Sequence, residues 1–530
     1  MQIVSENWKN AHKQTILNES FVEISFDITD PDALEDATPS DNGAIYISDS
    51  SKLTNRVDKS PTPYCTLEQN IWLLNGGRTA LSESDSGGEG YVSDAMSDET
   101  CVFNEKIPTI TLDFSKEFTA LIPGVTITWS NTYNEFARDF IVRAYRGDTL
   151  VAEKEVTDNT SVKSVVLVDI INYDRIIIYV KKWCLPHHRA RVEEIFVGMN
   201  KVYSKTDLFN YLHKQSADPL STSLPKNEIQ FSVDNIGGEY NPYNENGIAK
   251  YLMLRQEVKT RYGLKLNDNT IEWLKGGTYY LSEWAAKQNG LTADFTARDL
   301  LEFMYATYSE THDLTSRSLY SLAEMILTRA GLPLNNDGTV KWVIDESLKS
   351  KYTTAPLPDD TLANCLQLIA NAGECSIYQD REGTLHIEPL KFDDTDYSIT
   401  PFNSYSKSEV TLTKPIKQVD VKVYTYTNGS NGIESNTTIV TASVGLTGEI
   451  ITIDNPLITD TTRASSLGTW LANHLNHRME LDFSWRADVR LDPLDIITSE
   501  NNYNTNCVRM TEVEYSYNGA FRGTGRGKVI

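Results

Sequence analysis

The chain is poor in cysteine for its 530 residues, and the thiols it has are not arranged to act together. Cys65, Cys101, Cys184, Cys365, Cys375 and Cys507 are scattered over the full length without a CxxC pair. That excludes a disulfide framework and fits synthesis in a reducing cytoplasm. Basic residues are also scarce. Against 73 Asp and Glu stand 49 Lys and Arg, a formal charge of −24. Phosphate binding needs basic patches, so this balance argues against a nucleic-acid-binding surface and for a well-solvated one. Long apolar runs are missing too. The most apolar stretch, "VVLVDIINYDRIIIYV" (Val165–Val180), is interrupted by Asp169, Asn172, Asp174 and Arg175. It is too broken to cross a bilayer and reads as two adjacent strands, so no membrane insertion is expected. The opening "MQIVSENWKNAHKQT" holds no apolar core followed by a cleavage site, so no Sec-type signal is expected either.

Catalytic signatures are absent as well. There is no GxSxG, no P-loop, no GxGxxG after a strand and no Cys–His arrangement of a known type. Among 73 acids, carboxylate pairs of glycosidase type arise by chance, and the context singles none out. The chain is read as a non-enzyme without cofactors.

What remains is a β-rich chain with 27 Tyr and 9 Trp, long enough for about three or four domains. "FVEISFDITDPDA" alternates strictly, with Val22, Ile24, Phe26 and Ile28 on one face, and Pro31 closes it. Short β-like runs follow across roughly 75–200, among them "TITLDF", "GVTITW" and "FIVRAYRGDTLVAEKEV", the last turning at Gly147–Asp148. They suggest a sandwich or jelly roll. A short helix is expected near Lys205–Lys214. After it, "NEIQFSVDN", "EVKTRYGLKL" and "NTIEWLKGGTYYLSEW" read as an antiparallel barrel, closing on a helix start capped by Asp299 or Thr296. "SLYSLAEMILTRAGLP" and "DDTLANCLQLIANAG" carry apolar residues at helical spacing and end at Gly331 and Gly373. "ECSIYQDREGTLHIEPL" then gives strand, turn and strand. A last β-rich region contains one helix near Thr462–Arg478, striped by Leu467, Trp470, Leu471, His474 and Leu475.

The densest cluster of reactive side chains is "WCLPHHRARVEE" (Trp183–Glu194). Zinc wants about four convergent ligands. No second Cys/His cluster lies nearby, and adjacent histidines on an extended chain point to opposite faces. A loop leaving a strand, with Arg189 and Arg191 pairing carboxylates such as Glu193 or Glu194, is the preferred reading. His474 and His477 lack the Glu and the second His that zincins need, and His474 continues an apolar stripe. Asp85, Glu89, Asp94 and Asp98 could offer oxygens to calcium, but without EF-hand spacing a solvated loop is preferred. No metal site is expected.

Several stretches carry a resemblance. "QFSVDNIGGEYNPYN", "RYGLKLNDNTIEWLKGGTYYLSEWAAKQNGLTADFTARDLLEFM", "LANCLQLIANAGECSIYQDREGTLHIEPL" and "LDPLDIITSENNYNTNCVRMTEVEYSYNGAFRGTGRGKVI" resemble central hub proteins of the bacteriophage baseplate or tail tip. The likeness is to phages of Gram-positive bacteria and related phage-tail-like particles, and it covers about three quarters of the chain. "YCTLEQNIWLLNG", "GYVSDAMSDE" and "WCLPHHRARVEEIFVGM" resemble the discoidin-type, carbohydrate-binding-like jelly roll that many such hubs carry, with Arg191 and Glu193 in structural roles.

The resemblance implies a mainly β fold with a small α/β module, two hub-type barrels and an inserted sandwich. The first barrel would span 1–74 and 201–308, the jelly roll 75–200, the α/β module 309–395, and the second barrel with its helix 396–530. It implies a homotrimer in the virion tail, assembled in the bacterial cytoplasm and joining a six-fold tube to a three-fold tip. Partners would be the tail tube and other tail or baseplate proteins, with genome DNA only in passage. The insert would contact cell-wall carbohydrate or a neighbouring protein, and Trp129, Tyr133 and Trp183 are its candidate platform residues, each also readable as core. A free carbohydrate-binding adhesin and a tail-associated cell-wall hydrolase are the alternatives.

Overall fold

The computed structural model describes residues 1–14, 18–45, 48–54, 64–66, 78–80, 90–131, 133–287, 290–309, 314–335, 339–391, 397–429, 432–500 and 504–530. The strand Ser20–Ile28 buries Val22, Ile24, Phe26 and Ile28, as its alternation requires. It lies between Met199–Tyr203 and Glu257–Lys265, both antiparallel. From Glu257–Lys265 the sheet continues through Ile271–Ala286, Thr292–Arg298, Lys226–Asp234 and Leu208–Ser216. Leu208–Ser216 then pairs with Thr505–Tyr517, placing Tyr211 opposite Tyr517. Beyond it come Phe521–Val529, Met479–Trp485 and Glu409–Leu412. The two β-rich blocks on either side of the helical module therefore share one 13-stranded sheet. They also share one core, in which Phe26, Phe231 and Phe295 belong with Trp485, Met510 and Tyr515.

The helix expected near Lys205–Lys214 is instead this pivotal strand, Leu208–Ser216. A register shift between Leu208 and Asn210 breaks its alternation. The irregularity lets Leu208 and Tyr211, three residues apart, share the buried face, a spacing that in the sequence mimics a helical one.

The helical module forms as its caps dictate. Ser318 caps Leu319–Ala330, Gly331 ends that helix at φ +60°, and Thr361 caps Leu362–Ala372. Asp299 caps the 3₁₀ turn Leu300–Phe303. The module's core recruits part of the last region. The hairpin Ile416–Gly429 and Gly432–Ser443 and the helix Thr461–Leu475 bury Val419, Val421, Leu467 and Leu471 with Leu322, Ile326, Leu366 and Ile369. The described residues of 397–530 are thus divided between two cores instead of sharing one.

The insert leaves the body at Ile28 and returns at Met199, its Cα partner across the ladder. Between them a five-stranded sheet runs in the order Thr38–Asp41, Thr109–Phe118, Tyr173–Trp183, Ala137–Arg146, Thr149–Val156. A three-stranded sheet of Lys163–Ile170, Ile122–Thr128 and Glu194–Val197 accompanies it. Leu112, Val142 and Ile178 of the first share a core with Val125, Ile127 and Ile195 of the second, which makes this a sandwich. Its strands begin at Thr38, well before residue 75. "TPSD" has no apolar alternation, and only its pairing with Thr109–Phe118 makes it a strand. At the root, Gly198 takes φ +125°, and a Cβ there would sit 2.5 Å from the Ile28 carbonyl oxygen. Only glycine lets the two chain ends pass so closely.

Candidate functional site

Where the two sheet blocks and the module meet, the hairpin turn "QDREGT" (Gln379–Thr384) enters the body. Asp380 shapes the turn by accepting from the Thr384 amide at 2.8 Å, and Gly383 supplies φ +87°. This aims Arg381 inward, where it is 4 % exposed. Its Nε donates to Asp492 at 2.8 Å, Nη1 to the Lys275 carbonyl at 2.9 Å, and Nη2 to the carbonyls of Val489 at 2.7 Å and Leu491 at 3.1 Å. Burial pulls the guanidinium pKa down, and the charge of Asp492 more than reverses this, so it stays a cation. Beside it, Gln379 donates to the Thr278 carbonyl at 2.9 Å and accepts from the Leu300 amide at 2.8 Å. One turn thus ties three parts of the chain through a planar fork that only arginine provides.

Behind Arg381, whose guanidinium lies 5.7 Å from the Tyr262 ring, runs a buried polar chain. The Tyr211 and Tyr262 hydroxyls are 2.8 Å apart. His213 Nδ1 is 2.7 Å from the Tyr262 hydroxyl, and Nε2 lies 2.6 Å from Tyr279 and 3.0 Å from Asn227 Oδ1. The arrangement is satisfied when Nε2–H donates toward Asn227 and Tyr279 and Nδ1 accepts from Tyr262. His213 is wholly buried, and burial pushes its pKa down to about 3, which keeps it neutral. Tyr515 closes the chain by donating to the Leu491 carbonyl at 2.8 Å, next to the backbone that Arg381 holds.

A second lock seats the N-terminal helix Glu6–His12. Asp488 accepts from Arg490 Nε at 2.9 Å and Nη2 at 2.6 Å, and the Trp8 indole faces it at 3.5 Å. Burial pushes Asp488 up, but the neighbouring cationic groups overcome this and hold it below the usual range. At neutral pH the standing cation is Arg490, because burial lowers the pKa of His12.

Trp129 and Trp183, considered as sugar platforms, are both 0 % exposed and pack edge-to-face at 6.0 Å in the sandwich core. A ring with no free face cannot stack on a sugar, so these two residues serve packing. Tyr133 is half-buried beneath the Arg191 guanidinium, 4.4 Å from its ring centre. In the "WCLPHHRARVEE" cluster, buried Glu135 organises the contacts. It accepts from the Trp183 indole at 2.8 Å and faces His188 Nδ1 at 3.0 Å. Arg189 donates to the Ser93 carbonyl at 3.1 Å and Glu193 accepts from Asn131 at 3.1 Å. Burial pushes the Cys184 thiol up to about 11 and that of Cys375 to about 12, so neither is a thiolate at neutral pH.

His474 donates from Nδ1 to the Trp470 carbonyl at 2.9 Å on its own helix. Of the acidic quartet, Asp85 and Glu89 lie outside the described residues. Asp94 pairs with Lys106 at 2.7 Å, and Asp98 holds its own turn through the Thr100 and Val102 amides. Among the described residues no group of three or more His, Cys, Asp or Glu is placed to hold a metal, and no helix is long and apolar enough to cross a membrane.

Sequence reasoning does not single out Arg381 or His213. The turn motif is visible in "QDREGT", but the partner of its arginine lies 111 residues away.

No family model matches this chain, and no curated protein matches it. Among solved structures it is similar to the tail protein from Neisseria meningitidis MC58, at TM-score 0.42 and 9 % identity, over 62 % of this chain and 93 % of that one. It is also similar to the 43 kDa tail protein of prophage MuSo2 from Shewanella oneidensis, at 0.43 and 10 %, over 62 % and 95 %. Prophage tail protein gp18 from Listeria monocytogenes EGD-e gives 0.40 and 10 %, over 63 % and 91 %. With each of these TM-scores below 0.5, the functional reading rests on this chain's own residues.

Proposed function

We propose that the chain is a structural hub of a phage tail tip or baseplate, or of a phage-tail-like injection particle, and not an enzyme. The observation that carries this is the strand Leu208–Ser216, which pairs on both sides and makes one sheet of two blocks far apart in sequence. Two buried polar groups at their junction lock it: Arg381 on carbonyls and Asp492, His213 on tyrosines and Asn227. Such a body is suited to hold shape under load, and it agrees with the sequence resemblance to tail hubs. Three copies, each offering two β-rich blocks, would present six arcs to a six-fold tube and a three-fold face to the tip. Three times −24 gives −72 formal charges, which would keep a passing genome from adhering to the channel. The sandwich would point outward, to wall sugar or to a neighbouring tail protein.

Immunogold labelling of particles from the source culture, with antibody against this chain, tests the reading. Gold at the tail end distal to the head is expected. Particles without gold, with antigen on cell walls or in the medium, would overturn the hub in favour of an adhesin.

A further inference from the structure

The module's hairpin of Ser376–Gln379 and Leu385–Glu388 sets His386 between two carboxylates. Its Nε2 lies 2.9 Å from Asp380 Oδ2, and its Nδ1 lies 3.3 Å from Glu388 Oε1. Across the ladder, the Tyr378 ring stacks on the imidazole at 4.9 Å and 5°, which fixes the plane in which both nitrogens meet oxygens. Asp380 is also the residue that shapes the turn carrying Arg381. Its Oδ1 takes the Thr384 amide, and its Oδ2 is left for the ring.

The hydrogens available set the protonation state. A carboxylate only accepts, and a neutral imidazole has one N–H for two such neighbours. One ring lone pair would then face a carboxylate oxygen in a half-buried place, whereas imidazolium donates to both. The surrounding charges leave this balance standing. Glu388 also pairs with Lys391 at 2.8 Å and accepts from Tyr378 at 3.2 Å. Arg381 points into the body and Glu382 takes Lys275. Asp492 and Asp495, which line one cavity with Asp380 and Glu388, hold Arg381 and the terminal amine. On the other side, the strand Trp342–Ile344 places Val343 opposite His386 and carries no titratable group. Burial pushes the His386 pKa down, and Asp380 and Glu388 more than reverse this. Burial pushes Glu388 up, but Lys391 and His386 hold it below its ordinary value.

We propose that Asp380, His386 and Glu388 form a proton-operated clamp on the joint between the module and the body. With His386 protonated, both carboxylates are held, the turn keeps its shape and Arg381 stays seated. With His386 neutral, Asp380 or Glu388 loses the ring as a donor, and the turn swings Arg381 out more often. The folded pKa is raised, so the stabilisation is full below the ordinary value of 6.5 and is lost as pH rises through the folded one. His213, whose folded value is depressed, has the opposite sign. One histidine weakens the fold on acidification, and the other weakens the joint as pH rises.

Two measurements on the full chain test the clamp. With histidine labelled by carbon-13 at Cε1, the His386 resonance is the one missing from His386→Gln. It should titrate with a midpoint above 6.5, and Glu388→Gln should lower that midpoint. Trypsin cuts after Arg381 only when that side chain has left the body, so the cut reports the open joint. Its rate at that bond is divided by its rate on an unfolded peptide of residues 376–388 at the same pH. The ratio should rise from pH 6.5 to about 9, by at most about tenfold per unit, the limit for one proton. In His386→Gln the ratio should be flat. A wild-type midpoint at or below 6.5, a midpoint unmoved by Glu388→Gln, a flat wild-type ratio, or an equal rise in His386→Gln would overturn the proposal.

Discussion

Arg381 shows how much one side chain holds in this molecule. Its fork donates to a carboxylate and three carbonyls in the interior, so removing it takes a donor from four acceptors at once, of which the Leu491 carbonyl keeps Tyr515 and Asp492 keeps Gln2. Arg381→Met should cost about 3 kcal/mol, and Arg381→Lys should recover little, since an ammonium cannot span the fork. Urea unfolding midpoints at constant m-value measure this. His213 makes the opposite kind of contribution, a base kept neutral. Its folded pKa of about 3 lies below the unfolded value of 6.5. As pH falls through that window the unfolded chain takes up a proton that the folded chain refuses, so stability declines on acidification. The slope contributed is up to about 1.4 kcal/mol per pH unit. In His213→Gln, which titrates nowhere, unfolding free energies at several pH values between 7 and 4, both within ordinary buffer range, should fall less steeply than in the wild type.

The insert hangs from a single ladder, and this makes a clean excision expected. Replacing residues 29–198 by Asn-Gly would turn Ile28 into Met199 through a two-residue hairpin without moving either strand. Away from the ladder the described contacts include exposed pairs such as Lys250 with Asp169 at 2.8 Å, which contribute little, and the Leu121 side chain against the body's core. They also include the buried Gln256 amide on the Thr29 carbonyl at 2.9 Å, for which the backbone carbonyl of the introduced Asn would stand in. The truncated chain should stay folded, with far-ultraviolet circular dichroism that keeps its β signature. The elements themselves are largely legible in the sequence: the Ser20–Ile28 alternation, the two capped module helices and the Gly147–Asp148 turn each state their structure in local chemistry. What stays hidden depends on distant partners. A bulge disguises Leu208–Ser216, polar "TPSD" becomes a strand only at a sheet edge, and the valines of Ile416–Gly429 give no sign that their core lies with the module. The candidate site is hidden for the same reason, since neither His213 nor Arg381 has its partners within its own element.

The described residues gather into three apolar cores, one in the body, one in the module and one in the sandwich. Cooperativity is strong within a core and weaker between cores, so calorimetry should resolve more than one transition, and excision of the insert should delete one of them. The module is bound to the body by the Arg381 turn, and the body to itself by the pairing of Leu208–Ser216 with Thr505–Tyr517. Among the described residues the sandwich is held more lightly, by the Gln256 amide on the Thr29 carbonyl at 2.9 Å and by Leu121 against the body's core. Its two chain ends enter the sheet side by side and antiparallel, from Ile28 opposite Met199 inward to Ile24 opposite Tyr203. A tug on the sandwich therefore loads those hydrogen bonds one after another, as in a zip, while a tug along the long strands of the body would load theirs together, in shear. Under tension the root would peel first, and the sheet behind it would be spared.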